Sequence, residues 1–140
     1  VIADEPTPGL HRAMVRRVMS HFRELADQGA GVLLIPHDLE QALEVADRVV
    51  VFYAGTTVED ADAKDFQSEE TLRHPYSKAL WRALPQNGFQ FIKGTQPYVK
   101  DMPEGCPFGP RCEWYTEACK GEIPCREVRG GRVRCAREGL

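Results

Sequence analysis

Three short apolar runs, separated by helix-length segments, constrain the fold of this chain more than any other feature. The runs lie at residues 1–3, 32–35 and 49–53. Between the first two, apolar residues recur at three- and four-residue spacing from Leu10 to Asp27, which predicts an amphipathic helix. A shorter helix is predicted from Leu39 to Ala46. Strands and helices that alternate in this order predict an α/β fold with a parallel sheet.

The first two runs are rich in aliphatic side chains, which is typical of parallel strands buried on both faces. Gly29 follows the first helix and predicts its C-cap. Asp38 precedes the second helix, and Gln41 three residues later predicts a capping box. The third run is followed by Ala54-Gly55, so Thr56-Thr57-Val58 is predicted to return as the second arm of a hairpin.

Polar side chains follow the first two strands at the point where each ends. Asp4 and Glu5 end the first run, and His37 follows the second. Ligands of α/β sheets bind at this carboxyl edge. One carboxylate can hold Mg²⁺ on a phosphate, and the next can orient an attacking water. On Asp4 and Glu5 alone, an ordinary surface turn is the simpler interpretation.

Composition bounds the function. The 140 residues carry a net charge of −3, which argues against a general nucleic-acid-binding protein. The longest apolar runs are too short to span a bilayer. Because the chain opens at Val1 inside a predicted strand, we expect it to be part of a longer polypeptide.

The second half of the chain changes character. Residues 59–73 are acidic and polar, with at most a short helix, and Pro75 is expected to open a helix over Tyr76–Leu84. Periodicity then ends, and all five cysteines lie beyond residue 105. An odd cysteine count without a secretory signal favours metal ligation over a disulfide framework.

Several motifs together resemble the second half of an ABC transporter ATP-binding subunit, which has a P-loop NTPase core. The motifs are Ile2-Ala3-Asp4-Glu5-Pro6-Thr7, Leu33-Leu34-Ile35-Pro36-His37-Asp38, Ala46-Asp47-Arg48-Val49 and Tyr53-Ala54-Gly55. The resemblance implies that Asp4 binds Mg²⁺ of Mg-ATP through water, that Glu5 is the general base, and that His37 contacts the γ-phosphate and that base.

The tail resembles one subfamily, the subunits that energise oligopeptide, dipeptide and nickel or metal-chelate importers. The similar segments are His74-Pro75-Tyr76-Ser77-Lys78-Ala79-Leu80 and the Cys-rich region. The resemblance implies a [4Fe-4S] cluster on Cys106, Cys112, Cys119 and Cys135, with four-thiolate zinc as the competitor. Cys125 is either a spare thiol or a replacement for one of the last two ligands.

The resemblance also implies an organisation and a set of partners. Residues 1–72 would be the C-terminal portion of the ATPase core, and residues 73–140 a C-terminal extension that is irregular and rich in cysteine. The partners would be a second ATP-binding subunit, in a homo- or heterodimer, and transmembrane permease subunits. The location would be peripheral, at the cytoplasmic face of the cell membrane.

Departures from the family pattern limit the function. No Gly-x-x-x-x-Gly-Lys-Ser/Thr loop is present, so this chain alone is not expected to be an ATPase. His11 stands where the family has the D-loop aspartate, and Pro36 replaces the Ser or Thr before the histidine. The alternative is a non-catalytic metal- or iron–sulfur-binding regulatory module that acts through its tail.

Overall fold

The chain is divided into two units. A computed structural model describes residues 1–140. The first unit is Val1–Val49 and the second is Val50–Leu140. A parallel pair of strands lies in the first, and an antiparallel sheet is centred on the second. The predicted α/β class is therefore confirmed, with more antiparallel structure than the sequence suggested.

The first unit has the predicted order of strand, helix, strand and helix. Its elements are β1 (Ile2–Asp4), α1 (Arg12–Asp27), β2 (Leu33–Ile35) and α2 (Leu39–Val45). Strands β1 and β2 are parallel, with Ala3 opposite Leu34. Gly29 has φ of +93°, and its N–H bonds to the Ala26 carbonyl, as expected for the residue that ends α1.

The cap of α2 differs from the predicted capping box. The Asp38 carboxylate accepts the Glu40 backbone N–H at 2.9 Å, which satisfies one unpaired donor of the first turn. Gln41, however, donates its side-chain amide to the Asp38 carboxylate at 3.2 Å. The side chain of Gln41 therefore bonds to the Asp38 side chain, whereas a capping box would have it accept the Asp38 backbone N–H.

The prediction that the parallel strands are buried is wrong for this chain. Ile2, Leu33 and Ile35 are 75%, 55% and 47% exposed, and they occupy one face of the two-stranded sheet. A parallel strand is buried only when layers cover both faces, and the first unit does not cover this one. In α1, Met19 is buried with Val15, whereas Leu25, another apolar residue of the helix, is exposed.

The second unit is built on an antiparallel sheet in the order β3-β4-β6-β5. Its elements are β3 (Arg48–Tyr53), which begins at the end of the first unit, β4 (Thr56–Asp62), α3 (Pro75–Ala83), β5 (Arg126–Val128) and β6 (Gly131–Val133). Short 3₁₀ turns, among them Ala63–Gln67, connect them. The tail was expected to be irregular, but its last part forms a hairpin that pairs with β4.

Strand β4 continues into the acidic segment for which the sequence predicted at most a short helix. Glu59 pairs with Val133, and Asp60 with Arg132. The turn of the β5–β6 hairpin places Arg129 and Gly130 at φ of +49° and +76°, a conformation that favours glycine and tight two-residue turns. The sequence does not show this pairing because the two strands are more than sixty residues apart.

The core of the second unit is aromatic where α3 and the Cys-rich tail meet the sheet. The Tyr53 and Tyr76 ring centroids are 4.5 Å apart, and Phe108 lies 5.3 Å from each. Tyr53 and Phe108 are almost completely buried. The tail is therefore packed on the sheet rather than loosely attached to it. Across the chain, no helix combines the length and apolar character needed to cross a membrane.

Candidate functional sites at the parallel sheet edge and in the cysteine-rich tail

The carboxyl edge of the parallel sheet brings two predicted site residues together. The Glu5 backbone N–H donates to the Ile35 carbonyl at 2.8 Å, which extends the pairing of β1 and β2 by one residue. One carboxylate oxygen of Glu5 lies 2.8 Å from Nε2 of His37. This contact joins side chains 32 positions apart in the sequence. It depends on β1 and β2 ending in register, with Asp4 paired with Ile35.

Glu5 occupies a backbone conformation that is unusual for its residue type. Its φ is +45°, in the left-handed region that non-glycine residues rarely adopt. Such conformations are concentrated at sites where a side chain must be aimed at a ligand. The Glu5 and His37 side chains are about half and two-thirds exposed, and Asp4 beside them is also exposed. All three side chains are therefore accessible to a ligand in solution.

His11, for which the resemblance implies the position of a D-loop aspartate, lies at the start of α1. It is exposed and occupies the N-cap position, where its side chain makes no capping hydrogen bond. Its backbone carbonyl accepts from the N–H groups of Met14 and Val15. The side chain is thus available for contacts that the first unit does not itself supply.

Four of the five cysteines line one small cavity in the second unit. Its volume is about 10 Å³, and its lining includes these thiols: Cys106, Cys112, Cys119 and Cys135. The fifth, Cys125, is exposed and is not part of the lining. The four predicted ligands therefore face a common space, although no three groups are arranged as they would be around a single metal ion.

Backbone amides surround these sulfurs in a repeated pattern. The N–H of Phe108 faces the Cys106 sulfur, and that of Trp114 faces Cys112. The Arg137 N–H donates to the Cys135 sulfur at 3.5 Å. In each case the donor is two residues after the cysteine. Hydrogen bonds of this kind favour the charged thiolate, which is the form that binds metals.

Burial of these cysteines disfavours the charged thiolate. It raises the pKa of Cys106 and Cys135 and raises the pKa of Cys112 to about 11. Neighbouring thiols raise these pKa values further, whereas Arg126 and Arg137 lower the pKa of Cys135. A bound cation would reverse the balance, because thiolate ligands are deprotonated on binding.

Arg111 and Arg132, which lie near the cysteines in the sequence, are engaged in other contacts. Arg132 pairs with Asp60 at 2.7 Å on the exposed side of the sheet. Arg111 donates to the Ile92 and Lys93 carbonyls and to the Tyr53 hydroxyl. Arg137, which sequence reasoning missed, lines the cysteine cavity and lies 4.6 Å from the Trp114 ring.

A tight turn also fixes the loop that carries the first cysteine. Gly105 has φ of +78°, and a Cβ placed there would lie 2.1 Å from the Cys119 carbonyl oxygen. The Cys106 N–H donates to that same oxygen at 2.8 Å. The close approach of the two backbones requires glycine, and it holds Cys106 and Cys119 side by side.

His74 is the second residue at this cavity that sequence reasoning missed as a site residue. It is 1% exposed and lines the cavity with the four thiols. Burial lowers the pKa of His74 to about 4, and the opposing effect of a weak hydrogen bond to the Arg134 backbone carbonyl is the smaller of the two. The ring is therefore neutral at physiological pH. The His74-Pro75-Tyr76 motif identified the position but did not indicate what the imidazole contacts.

A buried ion pair holds the backbone of His74 in place. The Glu59 carboxylate accepts the N–H groups of Arg73 and His74 at 2.9 and 2.8 Å, and the Arg73 guanidinium at 3.2 Å. Arg73 also reaches Asp65 and donates to the Val128 and Arg129 carbonyls. This network joins β4, the start of α3 and the β5–β6 hairpin.

Comparisons with known proteins agree with the motifs. Residues 58–119 match the family described as "Oligopeptide/dipeptide transporter, C-terminal region". The chain is 37% identical to the dipeptide transport ATP-binding protein DppD of Haemophilus influenzae over 96% of its length and 42% of that protein. It is 35% identical to the oligopeptide transport ATP-binding protein OppD of Escherichia coli, over 96% of the chain and 41% of OppD.

A putative peptide import ATP-binding protein of Brucella ovis is also 35% identical, over 89% of the chain and 40% of that protein. The chain thus spans about two fifths of the length of the curated relatives it matches. Together these matches identify the chain as the C-terminal region of an ATP-binding protein of the oligopeptide/dipeptide transporter family.

Proposed function

We propose that this chain supplies the water-activating edge and the C-terminal extension of an ATP-hydrolysing subunit that energises peptide import. The observation that carries the proposal is the 2.8 Å contact between Glu5 and His37 at the carboxyl edge of β1 and β2. A carboxylate paired with an imidazole at a ligand-binding edge can take a proton from water and orient that water.

Each residue of the edge has a separate role in this proposal. Asp4 would hold Mg²⁺ of Mg-ATP through water, and that ion would neutralise charge on the phosphates. Glu5 would accept the proton of the attacking water. His37 would hold the Glu5 carboxylate in position through Nε2 and contact the γ-phosphate. The exposure of all three leaves this edge open to a nucleotide.

The phosphate-binding half of such a site is not encoded in this chain. No residues here form a Gly-x-x-x-x-Gly-Lys-Ser/Thr loop, whose backbone N–H groups would cradle the phosphates. We therefore propose activity only for a protein that combines this chain with such a loop. Residues 1–72 would complete its ATPase core, and residues 73–140 would form the extension.

The remaining assignments follow from the relatives. They are named as dipeptide or oligopeptide transport or peptide import ATP-binding proteins, so we propose peptides as the cargo. Nickel and metal chelates find no support among these names. The proposed partners are a second ATP-binding subunit and transmembrane permease subunits. The proposed location is the cytoplasmic face of the membrane, as a peripheral subunit.

We further propose a thiolate-bound metal centre on Cys106, Cys112, Cys119 and Cys135. Their shared cavity and the amides that face three of the sulfurs support this donor set. The cavity of about 10 Å³ has room for roughly one water-sized body, and the ligands are not arranged around a single ion, so either centre requires the cysteine side chains to rearrange. The shared chemistry is a cation held by thiolates, either as a cluster or as zinc.

Anaerobic purification with iron, sulfide and zinc analysis separates the two centres. Broad visible absorption with iron and sulfide supports the cluster, whereas colourless protein with one zinc supports the competitor. Cys112→Ser is expected to lose the metal, and Cys125→Ser, at the exposed cysteine, to retain it. Wild-type protein without metal contradicts the centre.

Steady-state ATP hydrolysis by the complete subunit tests the proposed edge. Glu5→Gln and His37→Ala are each expected to lower the rate by about 10²–10⁴-fold. Because the two side chains are in contact, the double variant should lose far less than the product of the single losses. Glu44→Gln, at an exposed position of α2, is the matched control. Normal hydrolysis by Glu5→Gln would refute the assignment of the base.

The alternative function, a non-catalytic regulatory module, finds no support in these comparisons, because the relatives are named as transport ATP-binding proteins. It makes the opposite prediction for the edge. If it held, Glu5→Gln and Glu44→Gln would leave the complete subunit equally active in ATP hydrolysis and peptide uptake.

A further inference from the structure

The imidazole of His74 has a buried nitrogen with no hydrogen-bond partner. Its Nε2 is inaccessible to solvent and makes no hydrogen bond of good geometry. The Arg134 backbone carbonyl lies near the ring and raises the pKa of His74 as a weak hydrogen-bond acceptor, but its geometry falls short of a full hydrogen bond to this atom. Buried polar groups in proteins are nearly always hydrogen-bonded, so an unpaired donor at a cavity is a candidate to bond a group that occupies the cavity.

The other ring nitrogen fixes which atom carries the proton. Nδ1 of His74 accepts the Tyr76 backbone N–H at 3.0 Å, in the N-cap arrangement of α3. A neutral imidazole that accepts at Nδ1 must carry its hydrogen on Nε2. Nε2 is therefore a donor and has no lone pair for a metal. His74 is therefore excluded as a fifth ligand, and its Nε2–H lacks a well-placed hydrogen-bond acceptor.

Among the other side chains that line this cavity, the hydrogen-bond acceptors are sulfurs. His74 lines the same space as Cys106, Cys112, Cys119 and Cys135. Three of the sulfurs face an amide two residues later in the chain, whereas the Cys119 sulfur has the Thr116 hydroxyl at 3.7 Å. The thiolates of a metal centre here would be short of donors relative to their negative charge.

We propose that His74 donates its Nε2–H to a cysteine sulfur of the thiolate-bound metal centre, and so acts as a positioning residue that stabilises the centre. This inference rests on the metal centre proposed above. A donor to a ligating sulfur withdraws charge from it, which slows loss of the metal and, in an iron–sulfur cluster, favours the reduced state.

The position of the donor is rigid. The Glu59 carboxylate accepts the His74 backbone N–H at 2.8 Å, and Pro75 begins α3 at the next residue. The Phe108 ring lies 6.0 Å from the imidazole, two residues after Cys106. A donor held in this way needs little reorganisation when the centre forms, which makes its hydrogen bond to sulfur more favourable.

Two substitutions separate the donor from the cap. His74→Asn keeps a side-chain oxygen that can accept the Tyr76 N–H, because asparagine is a good N-cap residue, but removes the donor to the cavity. His74→Gln is long enough to place an amide N–H near the position of Nε2. Urea unfolding followed by tryptophan fluorescence checks that both variants fold, since Trp81 and Trp114 lie in this unit.

The test measures metal retention and a spectrum in the anaerobically purified protein. We expect His74→Asn to lose metal to a chelator at least about tenfold faster than wild type, and His74→Gln to recover most of that loss. If the metal is iron, His74→Asn should also lower the midpoint potential, with about 59 mV for each tenfold change in the ratio of the oxidised to the reduced form. If the metal is zinc, it can be replaced by Co²⁺. The sulfur-to-cobalt charge-transfer band should then lie at longer wavelength in His74→Asn than in wild type, because the sulfur has lost a hydrogen-bond donor.

The outcomes distinguish this inference from the proposals on which it stands. Wild-type protein without metal overturns both the centre and the role of His74. Metal in wild type, with unchanged retention and spectrum in His74→Asn, overturns the role of His74 alone. Equal losses in His74→Asn and His74→Gln overturn the donor role in favour of a purely structural one. None of these results bears on Glu5, whose role is tested by ATP hydrolysis.

Discussion

Glu59→Gln is the substitution that most directly tests how the second unit is held together. Glu59 is 1% exposed, and its carboxylate accepts three hydrogen bonds, two from Arg73 and one from the His74 backbone. Glutamine has nearly the same size, but it has no charge and presents an NH₂ group in place of one oxygen. At least one buried donor then faces another donor, and the Arg73 charge keeps only Asp65 as an anionic partner.

The expected loss follows from these contacts. Removing one partner of a buried ion pair costs about 3–5 kcal/mol, because it leaves a charge buried without compensation. With a urea dependence of about 1.5 kcal/mol/M, the midpoint should fall by about 2–3 M. That is a large part of the stability of a small unit, so Glu59→Gln could leave it unfolded without denaturant.

The assay is urea unfolding followed by tryptophan fluorescence. Both tryptophans, Trp81 and Trp114, lie in the second unit, so the signal reports that unit alone. Arg132→Gln is the matched control, because it removes an exposed ion pair with Asp60, the neighbour of Glu59 on β4. Its midpoint should match wild type. A shift in Glu59→Gln no larger than in Arg132→Gln would refute the role of the buried network.

Two further predictions concern the cysteine cavity. Gly105→Ala should destabilise the second unit and release bound metal, because Gly105 has a positive φ and an added Cβ would clash with the Cys119 carbonyl. Gly121→Ala is the control: an added Cβ there meets no atom within 4 Å, so this variant should retain both stability and metal. Burial of His74 lowers its pKa to about 4 from an ordinary 6.5, so the unfolded chain binds more protons between these values and stability rises with pH across that window. In metal-free protein His74→Asn should flatten the pH dependence of the urea midpoint, removing a contribution of about 3 kcal/mol, and parallel curves for the two proteins would contradict this.

The alternation of strands and helices in the first unit was predictable because it depends on local patterns. Apolar spacing placed α1 to within two residues at its start, and Gly29 ended it. The depth of burial was not predictable. An aliphatic run such as β2 appears identical whether or not a second layer covers it, and Leu33 is 55% exposed here.

The contact between Glu5 and His37 was accessible to sequence reasoning, because parallel strands end at the same edge. The second unit was harder. Its β4–β6 pairing joins Glu59 to Val133, and no local signal specifies a partner so far along the chain. The buried role of Glu59 was hidden for a related reason, since an acidic residue in an acidic segment is expected to face solvent.

His74 illustrates what a motif can and cannot convey. The sequence His-Pro-Tyr predicted a helix start, and α3 does begin at Pro75. It did not show that the imidazole would be buried beside four cysteines that follow 32 to 61 residues later in the sequence. That juxtaposition comes from packing of the tail on the sheet, which depends on long-range contacts.

The most direct test of the central claim is the nucleotide retained by the Glu5→Gln variant of the complete subunit. The claim is that Glu5, held by His37 at the sheet edge, activates water for ATP hydrolysis. Glu5→Gln should bind Mg-ATP as tightly as wild type, and chromatography of the bound nucleotide should recover ATP. Recovery of ADP, with phosphate released at the wild-type rate, would contradict the claim.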